Sequence, residues 1–112
     1  MEVDINGKNI NFLICNSIKK NLFLFGGISL IKSLKDTIEL MNSGDYRERF
    51  IAEYKQLVIR YKGLRNMLDK WDSGELDFKP TCPRSTYNMQ IKAMTEYIAV
   101  LEARAVMEGI IL

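Results

Sequence analysis

The most regular feature of the sequence is a heptad spacing of apolar residues in its second half. These residues step alternately by four and three positions in two successive series. The first series is Phe50, Tyr54, Leu57, Tyr61, Leu64, Leu68 and Trp71, and the second is Tyr87, Ile91, Met94, Ile98, Leu101 and Ala105. Such spacing forms one apolar stripe along a helix, which a second helix can bury. Because a short connection joins the two series, we predict an antiparallel helical hairpin over residues 45–112.

Short polar segments predict where these helices begin. Residues 42–44, Asn-Ser-Gly, are typical of a helix stop, and Asp45 with Glu48 three residues later predicts an N-cap of the capping-box type. Thr81 is the expected N-cap of the second helix. Pro83 then falls in the first turn, where no backbone hydrogen bond is lost.

The first fifteen residues alternate between apolar and polar positions around an Asn-Gly pair at residues 6–7. The alternating apolar residues are Val3 and Ile5 before the pair and Ile10, Phe12 and Ile14 after it. Asn-Gly favours a type I′ turn, so this segment predicts a β-hairpin. An isolated hairpin is marginal in water, and we expect its apolar face to rest on a helix or on another chain.

A shorter amphipathic pattern lies between residues 28 and 41. Its apolar positions recur at spacings of three and four, at Ile31, Leu34, Ile38 and Met41. This pattern predicts a short helix. The predicted fold class is therefore mainly α (α+β), a single domain with a β-hairpin and short helix in residues 1–44 and the helical hairpin in residues 45–112.

Further apolar residues of the helical hairpin lie outside the heptad stripe. They are Tyr46, Ile51, Val58, Met67, Tyr97, Val100 and Met107. That much additional apolar surface is a liability in a monomer. We therefore expect it to be buried against the N-terminal segment or against other copies of the chain.

Composition limits the chemistry. The chain has 112 residues, a net charge of +2 and no histidine, which removes the commonest general base and most zinc sites. We expect no enzyme, no catalytic residue, no metal and no cofactor.

The charge is too evenly spread for binding a nucleic acid polymer, and the apolar stretch 21–31 is too short to span a bilayer. With no signal-like start, Cys15 and Cys82 predict reduced thiols in a cytoplasmic protein.

The loop before the second helix has an unusual composition. Residues 77–88, DFKPTCPRSTYN, contain the aromatic Phe78, two prolines and two cations, with no acid after Asp77. Polar residues flank the heptad stripe at Arg60, Arg65, Asn88 and Arg104, and Arg84 lies in the loop itself. Arginines beside an aromatic face suit capture of a phosphate and a base. The alternative is that these arginines are solvated helix residues and that Phe78 covers the end of the stripe.

The long helical hairpin, the aromatic ahead of PTCPRSTYN and the predicted N-terminal strands resemble the phage family of cyclic-nucleotide sponges, the anti-Thoeris and anti-CBASS proteins, with the anti-Thoeris branch favoured. The resemblance implies a protein of the host bacterial cytoplasm that sequesters cyclic ADP-ribose isomers, or cyclic di- and trinucleotides, without cleaving them. It implies binding between protomers of a homo-oligomer, a hexamer. Phe78 would stack on the ligand, Asn88 would hydrogen-bond it, and the arginines would contact phosphates: Arg60, Arg65, Arg84 and Arg104.

A second hypothesis is a protein-binding adaptor or a direct inhibitor of a host protein, with the aromatic outer face as its anchor surface. An adaptor should be harmed by changes at Tyr97 or Val58, whereas a sponge should lose its ligand when Phe78 or Asn88 becomes alanine. DNA binding by a helix-turn-helix ranks third, because the second helix has no run of base-reading residues.

Overall fold

The computed structural model describes residues 31–112, which are mainly helical. A 3-10 turn at Leu34–Thr37 leads into α1, Ile38–Met41. Two long helices follow, α2 at Tyr46–Ser73 and α3 at Arg84–Glu108. With 28 and 25 residues, they are about 42 and 37 Å long. No strand occurs in this part of the chain, and the β-hairpin predicted for residues 1–15 lies outside it.

The predicted helical hairpin is confirmed. Contacts between the helices join the start of α2 to the end of α3 and the end of α2 to the start of α3, as an antiparallel pair requires. The heptad residues form the core: Phe50, Tyr54, Tyr61, Leu68, Ile91, Ile98, Leu101 and Ala105 are buried, and Leu57, Leu64, Trp71, Tyr87 and Met94 pack against them. Burial of these two apolar stripes on each other is what holds the hairpin together.

The two helix starts differ from one another. The Asp45 carboxylate accepts the Arg47 N–H at 2.9 Å, so the predicted N-cap of α2 is confirmed. The Asp45 N–H donates to the Ser43 hydroxyl at 3.0 Å, in place of the Glu48 side chain that a capping box would use. The predicted N-cap at Thr81 is wrong, because the N-cap of α3 is Pro83, two residues later.

Pro83 is the N-cap of α3, with an extended backbone at φ −66° and ψ 154° and no capping side chain. A proline disfavours the helical conformation in the residue before it, so no helix can run from Thr81 through Cys82. The Pro83 carbonyl accepts the Thr86 N–H at 3.0 Å, and α3 starts there instead.

Both long helices end at a glycine in the left-handed region, Gly74 at φ 77° and Gly109 at φ 69°. In each case the next residue donates its N–H back to a carbonyl of the last turn, from Glu75 to Lys70 at 2.9 Å and from Ile110 to Ala105 at 2.8 Å. These bonds satisfy carbonyls that the helix leaves without partners.

The short helix α1 packs on α2. Thr37 is buried, and its hydroxyl accepts a hydrogen bond from the Gln56 amide at 2.8 Å. The stop predicted at residues 42–44 is confirmed, because α1 ends at Met41. The predicted apolar face is not buried, since Leu34, Ile38 and Met41 are exposed in the structure. A 3-10 turn replaces the first part of the predicted helix within the described residues.

The apolar residues outside the heptad stripe divide into two groups. Val58 is buried, and Ile51 and Met67 pack against the core. Val58 is therefore a core residue, and its assignment to the outer face is wrong. The others remain exposed: Tyr46, Tyr97, Val100 and Met107. No helix within residues 31–112 has the length and apolar character needed to cross a membrane.

Candidate functional site

The loop between the long helices forms one wall of an open cleft, which we call the elbow cleft. Its volume is about 630 Å³, within the range of small-molecule sites. Trp71, at the end of α2, faces the loop across it. The lining residues are Trp71, Gly74, Leu76, Phe78, Lys79, Pro80, Thr81, Cys82, Pro83 and Arg84. Two cations and two aromatic rings therefore meet in one concave surface.

Phe78 lies in the loop with 54% of its surface exposed. It lines the cleft rather than covering the end of the heptad stripe, because Trp71 and Tyr87 close that end with their rings 6.0 Å apart, edge to face. Pro80 and Pro83 restrict the loop backbone that follows it. An exposed, flat apolar face is suited to stacking on a base.

Arg84, the first residue of α3, is a cation of the cleft held by contacts to three other side chains. Its guanidinium lies 5.4 Å from the centre of the Trp71 ring. It forms a two-pronged ion pair with Asp72, with Nη1 to Oδ1 at 2.5 Å and Nη2 to Oδ2 at 3.0 Å. The hydrogen bonds between them lower the pKa of Asp72 and raise that of Arg84.

Asn88 lies one helical turn after Arg84. Its Oδ1 accepts the Arg84 Nε–H at 3.2 Å, so the amide oxygen helps to fix the guanidinium. Three of the predicted site residues are thus brought together at the elbow, namely Phe78, Arg84 and Asn88. Asn88 does not line the cleft, and it acts on the cleft through Arg84.

Arg60 and Arg65 lie on α2 away from the cleft lining. Arg60 is exposed and precedes Trp71 by eleven positions, about 16 Å along the helix axis. Arg65 is half-exposed and forms an ion pair with Asp69 at 3.5 Å, one turn along the same helix. Neither guanidinium faces the elbow cleft of its own chain.

Arg104 lies at the opposite end of the hairpin, which we call the closed end. It is twenty positions after Arg84, about 30 Å along α3. Its Nε donates to Glu108 at 3.1 Å and its Nη2 to the Tyr46 hydroxyl at 2.7 Å, and its guanidinium covers the Phe50 ring at 4.9 Å. The hydrogen bonds from Tyr46 and then Arg104 lower the pKa of Glu108. A ligand in the elbow cleft cannot reach Arg104 of the same chain.

Sequence reasoning missed Asp72 and the role of Trp71 as a wall of the cleft. The loop contains no acid after Asp77, yet the acid that neutralises Arg84 comes from the last turns of α2. No periodic pattern connects residues 72 and 84, because the loop path decides whether they meet. The sequence did contain one indication that Trp71 borders the cleft, because Trp71 is the last residue of the first heptad series and therefore lies next to the loop. Within residues 31–112, no cluster of three or more acidic, cysteine or histidine side chains could hold a metal ion.

Comparisons with known proteins give one match. A family model described as Sequestin matches residues 44–107, which is more than half of the chain. The matched region runs from the residue before the α2 cap almost to the end of α3 and includes the entire elbow. No curated protein matches the chain, and no solved structure does.

Proposed function

The chain belongs to the Sequestin family, and from this premise we propose that it is a sponge that sequesters cyclic nucleotide immune second messengers without cleaving them. The family's name describes proteins that sequester, and the resemblance to phage sponges agrees with it. The proposal places the protein in the cytoplasm of an infected bacterium. Its ligands are cyclic ADP-ribose isomers, with cyclic di- and trinucleotides as the related class.

The elbow cleft is the observation that carries this proposal. It combines an exposed ring at Phe78, a second ring at Trp71 and the cations Lys79 and Arg84 around about 630 Å³. A cyclic nucleotide needs a stacking face for its base and cations for its phosphates in one cleft. No acid is among the residues that line the cleft. These features favour capture of an anionic, aromatic ligand.

The remaining predicted arginines enter the proposal through a second copy of the chain. Arg60, Arg65 and Arg104 do not line the elbow cleft of their own chain, so they contact the ligand only if a neighbouring protomer supplies them. Exposed apolar residues on α3 support assembly: Met89, Tyr97, Val100, Val106 and Met107. Val100 and Met107 are one heptad apart, as residues on one face of a helix are. We propose a homo-oligomer, a hexamer by the resemblance, in which protomers share the site.

The same exposed face favours the second candidate, an adaptor or direct inhibitor that binds a host protein. Both candidates use the α3 surface, but only the sponge needs the cleft. Val100→Glu places a charge on the α3 face and should reduce the molar mass measured by multi-angle light scattering if copies associate there. Glu96→Gln is the matched control on an exposed position of the same helix.

Isothermal titration tests the sponge. The purified protein is titrated with a cyclic ADP-ribose isomer, cyclic dinucleotides and a cyclic trinucleotide, and with AMP as the reference. We expect binding at a fixed number of sites per chain, lost in Phe78→Ala and kept in Ile111→Ala, which removes an exposed apolar side chain outside both the cleft lining and α3. Ligand recovered intact after denaturing the protein separates sequestration from cleavage. Absence of binding to every cyclic nucleotide would overturn the proposal and favour the adaptor.

A further inference from the structure

The guanidinium of Arg84 is already engaged at each of its three nitrogens. Nη1 and Nη2 donate to the two carboxylate oxygens of Asp72, and Nε donates to Asn88. The pair of Nη donors is the edge of the side chain that matches two oxygens of a phosphate. In the structure a carboxylate of the same chain therefore occupies the edge that an anionic ligand would use.

The position of the two side chains makes this ion pair exchangeable. The Asp72 side chain is 61% exposed, so its carboxylate can turn into water without losing solvation. An ion pair at such a surface is weak, because water screens it. The Trp71 ring and Asn88 hold the guanidinium independently of Asp72. Arg84 would therefore stay in place at the cleft when Asp72 leaves.

We propose that Asp72 is a specificity-determining residue, which competes with the ligand for Arg84 and so favours ligands that present two phosphate groups, such as a pyrophosphate, to the elbow cleft. The inference rests on the proposed function. A single carboxylate or monoester offers Arg84 little more than Asp72 already gives. A pyrophosphate group offers oxygens and charge to Arg84 and Lys79 together, and both cations line the cleft. The added attraction to Lys79 is what displaces Asp72.

Protonation does not relieve this competition near neutral pH. The hydrogen bonds from Arg84 hold the pKa of Asp72 below its ordinary value of 3.8. The carboxylate is therefore charged at the pH of a cytoplasm, and the competition operates there continuously.

The test compares Asp72→Asn with wild type by isothermal titration, using the cyclic nucleotide panel, AMP and inorganic pyrophosphate as probes. Asparagine keeps the size of the side chain and removes its charge. We expect affinity to rise about two- to fivefold, the range set by loss of a surface ion pair. The gain should be larger for AMP than for pyrophosphate, because AMP lacks the second phosphate with which to displace Asp72.

Two control variants isolate the effect. Asp69→Asn removes the same charge from the same helix, where the acid pairs with Arg65 rather than with Arg84. It should raise affinity less than Asp72→Asn does, because Asp69 acts on Arg84 through its charge alone and forms no hydrogen bond with it. In the double variant Asp72→Asn with Arg84→Ala, the gain should vanish. Melting curves from circular dichroism identify any variant that has lost its fold, and the nitrogen resonance of Arg84 Nε reports directly whether an anion has reached it.

The outcomes separate this inference from the proposed function. An equal gain in Asp69→Asn, or a loss of affinity in Asp72→Asn, would overturn the competition and make Asp72 a residue that positions Arg84. If cyclic nucleotides bind wild type and Asp72→Asn equally, the sponge stands and the competition fails. If no cyclic nucleotide binds, yet pyrophosphate binds Asp72→Asn more tightly than wild type, the sponge fails and the competition stands. Pyrophosphate bound no better by Asp72→Asn than by wild type would overturn the competition.

Discussion

The two ends of the helical hairpin use the same chemistry for different purposes. At the elbow, the Arg84 guanidinium lies over the Trp71 ring and pairs with an acid from α2. At the closed end, the Arg104 guanidinium lies over the Phe50 ring and pairs with Glu108 on its own helix. Both arrangements join α2 to α3, and the one at the elbow also borders the cleft, so the cation and ring alone do not decide the role.

The residue that follows each helix stop explains the difference. Gly74 and Gly109 end their helices with the same backbone conformation. After Gly109 comes Ile110, which is buried and returns the chain to the core. After Gly74 comes the exposed Glu75, and the chain moves away into the loop. In this hairpin, the chain returns to the core where an apolar side chain follows the glycine, and it leaves the core where a charged side chain follows.

The largest expected difference between the ends comes from the same substitution made at each. Phe50 is 2% exposed and Phe78 is 54% exposed. Phe50→Ala should lower the free energy of unfolding by about 3–5 kcal/mol, whereas Phe78→Ala should lower it by less than about 1 kcal/mol. Urea titration followed by circular dichroism measures both. A comparable loss at Phe78 would mean that the loop ring supports the core and is not reserved for a ligand.

A third cation and ring, in the first half of α2, sharpens the comparison because its cation is buried. Lys55 is 3% exposed and its Nζ lies 5.1 Å from the centre of the Tyr54 ring. Desolvation, and then the neighbouring Lys62, lower the pKa of Lys55 to about 8.

This shift predicts a pH dependence of stability. Between about pH 8 and the ordinary lysine pKa of about 10.4, the unfolded chain holds a proton that the folded chain has released. The free energy of unfolding should therefore rise through that window by about 3 kcal/mol, because each pKa unit corresponds to about 1.4 kcal/mol. Lys55→Met should remove the rise and stabilise the protein at pH 7. Denaturant titrations of both proteins at several pH values test this, and an identical pH profile in Lys55→Met would contradict it.

Alanine substitutions at Gly74 and Gly109 test whether the backbones of the two helix ends are equivalent. An added Cβ would meet no atom within 4 Å at Gly74 or at Gly109, so the substitution to alanine adds only backbone strain. Each change should cost about 1–2 kcal/mol. Gly63→Ala is the control within α2, where alanine should stabilise the helix by about 0.5–1 kcal/mol. A cost at Gly109 far above that at Gly74 would show that the return of the chain depends on the stop.

The smallest expected difference concerns the two arginines. Arg104→Ala should lower the melting temperature more than Arg84→Ala, because Arg104 contacts a fully buried ring and links Tyr46 to Glu108. Arg84→Ala should instead weaken ligand binding. Arg104→Lys keeps the charge but loses the planar donors, and it should give an intermediate melting temperature. Equal melting temperatures for the two alanine variants would mean that Arg84 stabilises its end of the hairpin as much as Arg104 stabilises the other.

The candidate site was predictable from the sequence only where its members are close together in the chain. Phe78, Arg84 and Asn88 lie within eleven residues and meet at the elbow, because a loop and one helical turn bring them together whatever the rest of the fold does. Arg60, Arg65 and Arg104 share only with Asn88 a position beside the heptad stripe. That stripe runs the length of the hairpin. A position beside it therefore specifies the face of the helix on which a residue lies, but not how far along the helix axis the residue is from the elbow.

The sequence by itself determined the helical hairpin, the heptad core and the cap at Asp45, because each depends on residues a few positions apart that repeat with the helical period. Only the tertiary structure decided that Asp72 meets Arg84, that Trp71 forms a wall of the cleft and that Arg104 fastens the opposite end. These contacts join residues whose separation is bridged by a loop or by the pairing of two helices. Their distances follow from the path of the chain in space, which no local spacing encodes.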